Sequence, residues 1–196
     1  MQIEKFTVED INEATSLAVE AWGDALAEWK PAVARTVCEY SVRDEFRNEN
    51  LSLKITDGGI MKGYLLAATA TDKNMADDWL RKQFLHFTEK EDFDIFDMVM
   101  NASNKNNMRV VRHLDEKDVM LTFFLSVQPG CGKMLLGEMM KLLHERGFEN
   151  CYLWTDVTCN HQYYPKHGFE LVEEVCLRES SDEQPFIVYV YKKKIL

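Results

Sequence analysis

The sequence predicts an α/β domain built on a mixed β-sheet with helices on its flanks. Three observations carry that prediction. Val119 to Val127 is a nearly continuous apolar run rich in strand formers, as a strand in the middle of a sheet should be. The loop Gln128-Pro129-Gly130-Cys131-Gly132 leads straight into Lys133 to Arg146, where Leu135, Met139, Leu142 and Leu143 share one helical face. Asp57-Gly58-Gly59 stands between two apolar segments, the mark of a hairpin, so antiparallel pairs join the sheet.

The remaining elements follow in order. Residues 2–7 alternate and predict a first strand. Thr7 and Asp10 resemble a capping box, and Ile11, Ala14, Ala18, Ala21, Trp22 and Ala25 predict a helix running to about Trp29. Pro31 suits the first turn of a second helix, with Val33, Val37, Tyr40 and Phe46 on its apolar side. Leu51, Leu53 and Ile55 alternate as a strand, and Ile60 to Thr71 is its return. Residues 72–117 break this rhythm. Ala76, Trp79, Leu80, Gln83, Phe84 and Phe87 predict one amphipathic helix, Phe93, Phe96 and Met100 another, and Asn101 to Asn107 a polar loop. About 45 residues rarely hold a core of their own, so this segment is expected to be a helical insertion between the third and fourth strands of one domain spanning 1–196. Its aromatic residues are expected in the core. Downstream, Cys151 to Thr155 predicts a second buried strand, and His161 to His167 one or two helical turns stopped by Gly168. Phe169 to Leu177 and Phe186 to Lys193 predict two further strands joined by a polar loop.

Composition narrows the function classes. The 23 Lys and Arg against 33 Asp and Glu leave a net charge of −10, which lacks the basic footprint of a nucleic-acid binder. Lys192-Lys193-Lys194 reads as a solvated strand end. Five scattered cysteines do not make a disulfide scaffold, and reduced thiols fit a cytoplasmic location. Neither a secretory signal nor an apolar run of about 18 residues is visible, so no membrane association is expected. Cys151, Cys159, His161 and Cys176 lack the tight pairing of zinc sites, so no metal is expected.

Chemistry is expected where the central strand passes through a glycine loop into a helix. Free N–H groups and the helix dipole favour an anion there. A nucleotide P-loop is a poor match: Gly132-Lys133 supplies its end, but Val127 stands in place of its first Gly and Met134 in place of the metal-binding hydroxyl. Cys131, at the helix N-terminus, is a minor candidate for a nucleophilic thiol.

The run Leu125-Ser-Val-Gln-Pro129-Gly-Cys-Gly132-Lys-Met-Leu-Leu-Gly137 resembles motif A of the GNAT superfamily of N-acetyltransferases, and Asn160-His-Gln-Tyr163-Tyr164-Pro-Lys-His-Gly168-Phe169 resembles motif B. The loop is one residue shorter than usual. Cys131 stands where Arg or Gln is common, and Met134 and Leu136 stand where glycine or alanine is common. The resemblance implies a splayed central sheet, with acetyl-CoA as co-substrate and a primary amine, small-molecule or peptide, as acceptor. A homodimer is compatible with it. It implies a pyrophosphate cradle at Gly130, Cys131, Gly132, Lys133, Met134 and Leu135, strand-like pairing of the pantetheine arm with Leu125 and Val127, and a hydrogen bond to it from Asn160. Tyr164 would protonate the departing thiolate, and a strand N–H would steady the oxyanion. Asp156, just after the second central strand, is the candidate base, with a carboxylate from the insertion or a water chain as alternatives. A non-catalytic module binding acyl-CoA or a protein on the same fold is the alternative, and a different nucleotide-binding enzyme is a further rival.

Overall fold

The computed structural model describes residues 1–74, 76–87, 89–177 and 185–196. The strands are β1 (Gln2–Lys5), β2 (Ser52–Asp57), β3 (Ile60–Ala68), β4 (Asp118–Ser126), β5 (Asn150–Asp156), β6 (Glu170–Cys176) and β7 (Ile187–Lys194). The helices are α1 (Ile11–Ala21), α2 (Gly23–Leu26), α3 (Pro31–Glu45), α4 (Asp77–Gln83), α5 (Lys90–Val111), α6 (Cys131–Glu145) and α7 (Tyr163–Lys166). The loop expected between the last two strands lies largely outside the described residues.

One sheet holds all seven strands in the order β1-β2-β3-β4-β5-β7-β6. Every neighbouring pair is antiparallel except β4 and β5. That parallel pair is short. It joins only Asp118, Val119 and Met120 to Asn150, Cys151 and Tyr152. Beyond Met120, β4 stays with β3 and β5 with β7, so the two strands splay apart toward their C-terminal ends. The sheet is therefore mixed, open and splayed, as the sequence and its resemblance imply.

Side-chain alternation sends the strand residues to two cores. On one face Leu65, Val119, Leu121 and Leu153 pack under Leu135, Leu136, Met139 and Leu143 of α6. On the other, Met61, Tyr64, Leu66 and Leu125 pack under Ile11, Ala14 and Ala18 of α1 and Ala34, Cys38 and Val42 of α3. The insertion extends this second layer. Leu80 of α4 and Phe96 of α5 pack on Val33, Val37 and Tyr40 of α3. Further along α5, Val110 reaches Met120, Tyr152 and Val190, so the helix crosses β4, β5 and β7.

Three local expectations are corrected. The first helix ends at Ala21 and resumes as the short α2, with Gly23 opening the second piece. The return strand of the hairpin stops at Ala68 rather than Thr71. Asn101 to Asn107 is no loop but the middle of α5. Asn106 and Asn107 are buried there, and the tertiary hydrogen bonds of Asn107 described below outweigh its modest helix propensity.

Candidate active site at the splay of the central sheet

The mouth of the splay is built by the β4–α6 connection. Pro129-Gly130 turns the chain, and Gly130 takes φ +87°, a left-handed conformation that costs an ordinary L-residue but not glycine. The Cys131 N–H donates to the Gln128 carbonyl (3.2 Å) and the Met134 N–H to the Gly130 carbonyl (3.2 Å). Those two donors are spent within the loop and first turn. Among the described residues the N–H groups of Gly132 and Lys133 carry no loop partner, as expected for a helix N-terminus. Lys133 is exposed beside them. Met134 therefore offers this place only its side chain. Leu135 lies inside the helix with its side chain buried. Cys131 is also buried, its Sγ 3.6 Å from the Met1 Sδ, so it is not presented as a nucleophile.

The strand edge facing the splay differs in phase from expectation. The Val127 N–H donates to the Lys62 carbonyl of β3 (3.0 Å). Antiparallel alternation then turns the Leu125 backbone toward β3 as well, and aims the N–H groups of Phe124 and Ser126 into the gap. Strand-like pairing in the gap thus falls to Phe124 and Ser126, not to Leu125 and Val127.

The short helix α7 stands on the same side. Tyr163 meets the Phe124 ring edge-on (centroids 5.8 Å) and stacks on His167 (3.8 Å). Its hydroxyl is buried, without a hydrogen-bond partner among the described residues. Tyr164 packs its ring against Phe169 (5.5 Å) and Tyr191 (5.8 Å), and so joins the α6-side core. Burial, then the neighbouring Cys159, Tyr163 and Tyr191, hold its phenol well above the usual range, so it stays protonated. Asn160 is exposed, and its carbonyl accepts from the Tyr163 N–H (3.0 Å). Asp156 ends β5, where its Oδ1 accepts from the Thr158 N–H (2.8 Å) and hydroxyl (2.5 Å). That is a turn-capping role. Gly130, Gly132, Lys133, Tyr163 and Tyr164 are thus gathered around the α6 side of the splay, while Asp156 serves the turn after β5.

Sequence reasoning missed the opposite side. There Trp22 of the α1–α2 junction leans on Phe123 of β4 (5.5 Å). A polar network joins Glu45, Asn107 and Trp154 across the start of the splay. Its signal was present but faint: acids at the end of the α3 apolar stripe and an amide inside a polar run.

Two surface depressions, of about 350 and 270 Å³, lie elsewhere, against Asn48, Arg146 and Phe148 and against Val8, Arg43 and Arg47. Among the described residues no helix is long and apolar enough to cross a membrane, and no cluster of three or more His, Cys, Asp or Glu is arranged to hold a metal ion.

No family model matches the sequence, and no curated protein matches it. Solved structures do. The PaiA N-acetyltransferase from Thermoplasma acidophilum, in complex with coenzyme A, is 16 % identical, with 98 % of each chain covered and a TM-score of 0.55. The ribosomal-protein-alanine N-acetyltransferase from Brucella melitensis is 16 % identical over 100 % of both chains, at 0.53. An acetyltransferase described as of the GNAT family, from Desulfovibrio desulfuricans, is 11 % identical over 100 % of this chain and 99 % of its own, at 0.56. The parallel β4/β5 pair that opens beyond Met120, with a glycine-turned helix at its mouth, lies where the sequence resembles motif A. The fold of this chain is that of the GNAT N-acetyltransferases.

Proposed function

We propose that this protein is an N-acetyltransferase that moves an acetyl group from acetyl-CoA to a primary amine by direct attack. The observation that carries this reading is the splay itself. Two adjacent strands part after three residue pairs, and among the described residues each leaves one edge of backbone groups unpaired. An extended, amide-bearing chain is the natural occupant of such an edge, because it can pair as an added strand. At the mouth, the N–H groups of Gly132 and Lys133, the α6 dipole and the Lys133 ammonium suit a pyrophosphate. These attractions are local, which lets a chain of net charge −10 hold a polyanion.

The residues divide the work by side. Phe124 and Ser126 offer N–H groups along the gap to orient the donor and to steady negative charge on the reacting carbonyl oxygen. The Tyr164 phenol, kept protonated by burial, supplies a proton to the departing thiolate. Tyr163 and Phe124 wall this side and exclude water. The insertion covers the other face, where the acceptor would be selected, since inserted segments carry variable recognition. The coenzyme A complex of the Thermoplasma enzyme and the alanine acceptor named for the Brucella enzyme are in keeping with this donor and acceptor class.

A thermal-shift titration tests the reading. Acetyl-CoA or CoA at about 100 times its Kd should stabilise the protein by about 2.7 kcal/mol, or about 5–10 °C for a chain of this size, while ATP should not. Absence of a shift with both CoA species refutes the proposal, and a shift with ATP alone would favour a different nucleotide enzyme.

A further inference from the structure

The vertex of the splay, on the face away from α6, holds a buried acid that the donor chemistry leaves unused. Glu45, the last residue of α3, is 4 % exposed. Its carbonyl accepts the Thr122 hydroxyl (2.7 Å), and Thr122 is the extra residue at the bulge between β3 and β4, just beyond the last β4/β5 pair. Its Oε1 accepts from Asn107 Nδ2 (2.8 Å) and Ser103 Oγ (3.2 Å), both on α5. Asn107 Oδ1 in turn accepts from the Trp154 indole N–H (2.7 Å), on the part of β5 that has left β4. The chain Thr122–Glu45–Asn107–Trp154 therefore spans the vertex from one parting strand to the other.

Two features distinguish this carboxylate from a structural tie. Among the described residues its Oε2 accepts no hydrogen bond, although a buried polar atom is rarely left so. The Arg47 guanidinium stands 3.5 Å from it. Ser103, by contrast, connects Oε1 to the surroundings, being half-buried and one helical turn before Asn107 on the same face. The C-terminal end of α5 is fixed at the closed end of the splay, where Val110 packs on Met120, Tyr152 and Val190. Ser103, two turns earlier, is displaced along the helix toward the open end.

We propose that Glu45 takes the proton of the incoming amine through the Ser103 hydroxyl, on the face of the splay opposite α6. This rests on the acetyltransferase reading above. As the amine nitrogen bonds to the acetyl carbonyl carbon and the C–S bond breaks, the amine proton passes to Ser103 Oγ, whose own proton passes to Glu45 Oε1. The thiolate leaves with the Tyr164 proton, and both groups re-equilibrate with water. The charged and polar groups around Glu45 are Asp44 of its own helix, Arg47 after it, Ser103 and Asn107 of α5 and, acting through Asp44, Asp77 of α4. Burial and Asp44 outweigh Arg47, Asn107 and Ser103, and push the carboxyl up to about 7, which suits a base working near neutrality.

The test follows thiol release from acetyl-CoA with spermidine, kanamycin and an alanine-initiated peptide, and acetyl-CoA thermal shifts in parallel. Expected is a wild-type rate that rises through about pH 7 on whichever amine is accepted, and a loss in kcat of about 10²- to 10⁴-fold in Glu45→Gln, with that rise abolished. Glu45→Asp should keep the rise at a lower rate, and Ser103→Ala should lower kcat without affecting the acetyl-CoA shift. The proposal is overturned if Glu45→Gln or Ser103→Ala stays within about threefold of wild type with the same pH profile. It is also overturned if Glu45→Gln no longer responds to acetyl-CoA, which would mark a structural role, or if the wild type binds acetyl-CoA but turns over none of the amines. Loss of the wild-type acetyl-CoA shift would instead refute the acetyltransferase reading. Should Glu45→Gln fail to fold, Ser103→Ala alone decides, because it removes only a half-buried hydroxyl.

Discussion

Gly130→Ala isolates the backbone strain that shapes the mouth of the splay. An added Cβ at Gly130 meets nothing within 4 Å, so no steric contact contributes. The whole effect must come from φ +87°, where an L-residue crowds its own carbonyl by about 1–2 kcal/mol. For a domain of this size that corresponds to a fall in Tm of about 2–8 °C. Gly137 supplies the internal control. It lies inside α6, seven residues on, where an added Cβ likewise meets nothing and φ is ordinary. Gly137→Ala should therefore raise stability by about 0.8–1 kcal/mol through helix propensity alone. Urea unfolding of the two variants, with m unchanged, should thus separate them by about 2–3 kcal/mol despite identical chemistry. Gly130→Asn should fall between wild type and Gly130→Ala, because Asn tolerates the left-handed region better. If Gly130→Ala is as stable as wild type, the loop does not need its left-handed turn and this account of the site geometry is wrong.

Two further predictions bear on titrating groups. Tyr164→Phe keeps the ring contacts to Phe169 and Tyr191 and should leave the acetyl-CoA thermal shift intact while lowering kcat by about 10²-fold or more; unchanged turnover would return the residue to a purely packing role. Glu45 should impose a pH dependence on folding. Its carboxyl titrates near 7 in the folded protein against 4.5 unfolded, so the folded state holds the extra proton between those values and stability falls as pH rises through that window. The shift corresponds to about 3 kcal/mol, so the stability of Glu45→Gln relative to wild type should grow by that order between pH 4.5 and 7.5 in urea titrations, and a flat difference would contradict it.

What the sequence made legible, and what it concealed, follows from the range of the forces involved. The strands and long helices were readable because their apolar periods are local, as in Leu135, Met139 and Leu143 of α6. Gly130 and Gly168 were readable as punctuation because a left-handed turn needs glycine wherever it occurs. The phase of β4 was not. Side-chain alternation tells which face Leu125 and Phe124 occupy, but whether a backbone N–H points to β3 or into the gap depends on pairing with Lys62 and Tyr64, some 60 residues earlier. Hence Leu125 and Val127 were natural guesses on sequence, and Phe124 and Ser126 are the residues facing the gap.

The same limit hid the acid and explains the insertion. Ala34, Cys38 and Val42 mark a buried stripe on α3, and the next positions along the buried side of that helix are occupied by Asp44 and Glu45. Acids at the end of an apolar stripe conflict with local pattern, and such conflicts collect where function demands them. Their partners lie far along the chain, in the run Asn101 to Asn107, which looks like a loop until Glu45 and Trp154 claim its Ser103 and Asn107. The segment between β3 and β4 is thus more than added length. Without α5, Glu45 would lose both hydrogen bonds to Oε1, and the vertex would lose the link that crosses from β4 to β5. The acid and the helix that covers it make sense only together, and that mutual dependence is why the proposed reaction seats its acceptor on the covered face, opposite α6.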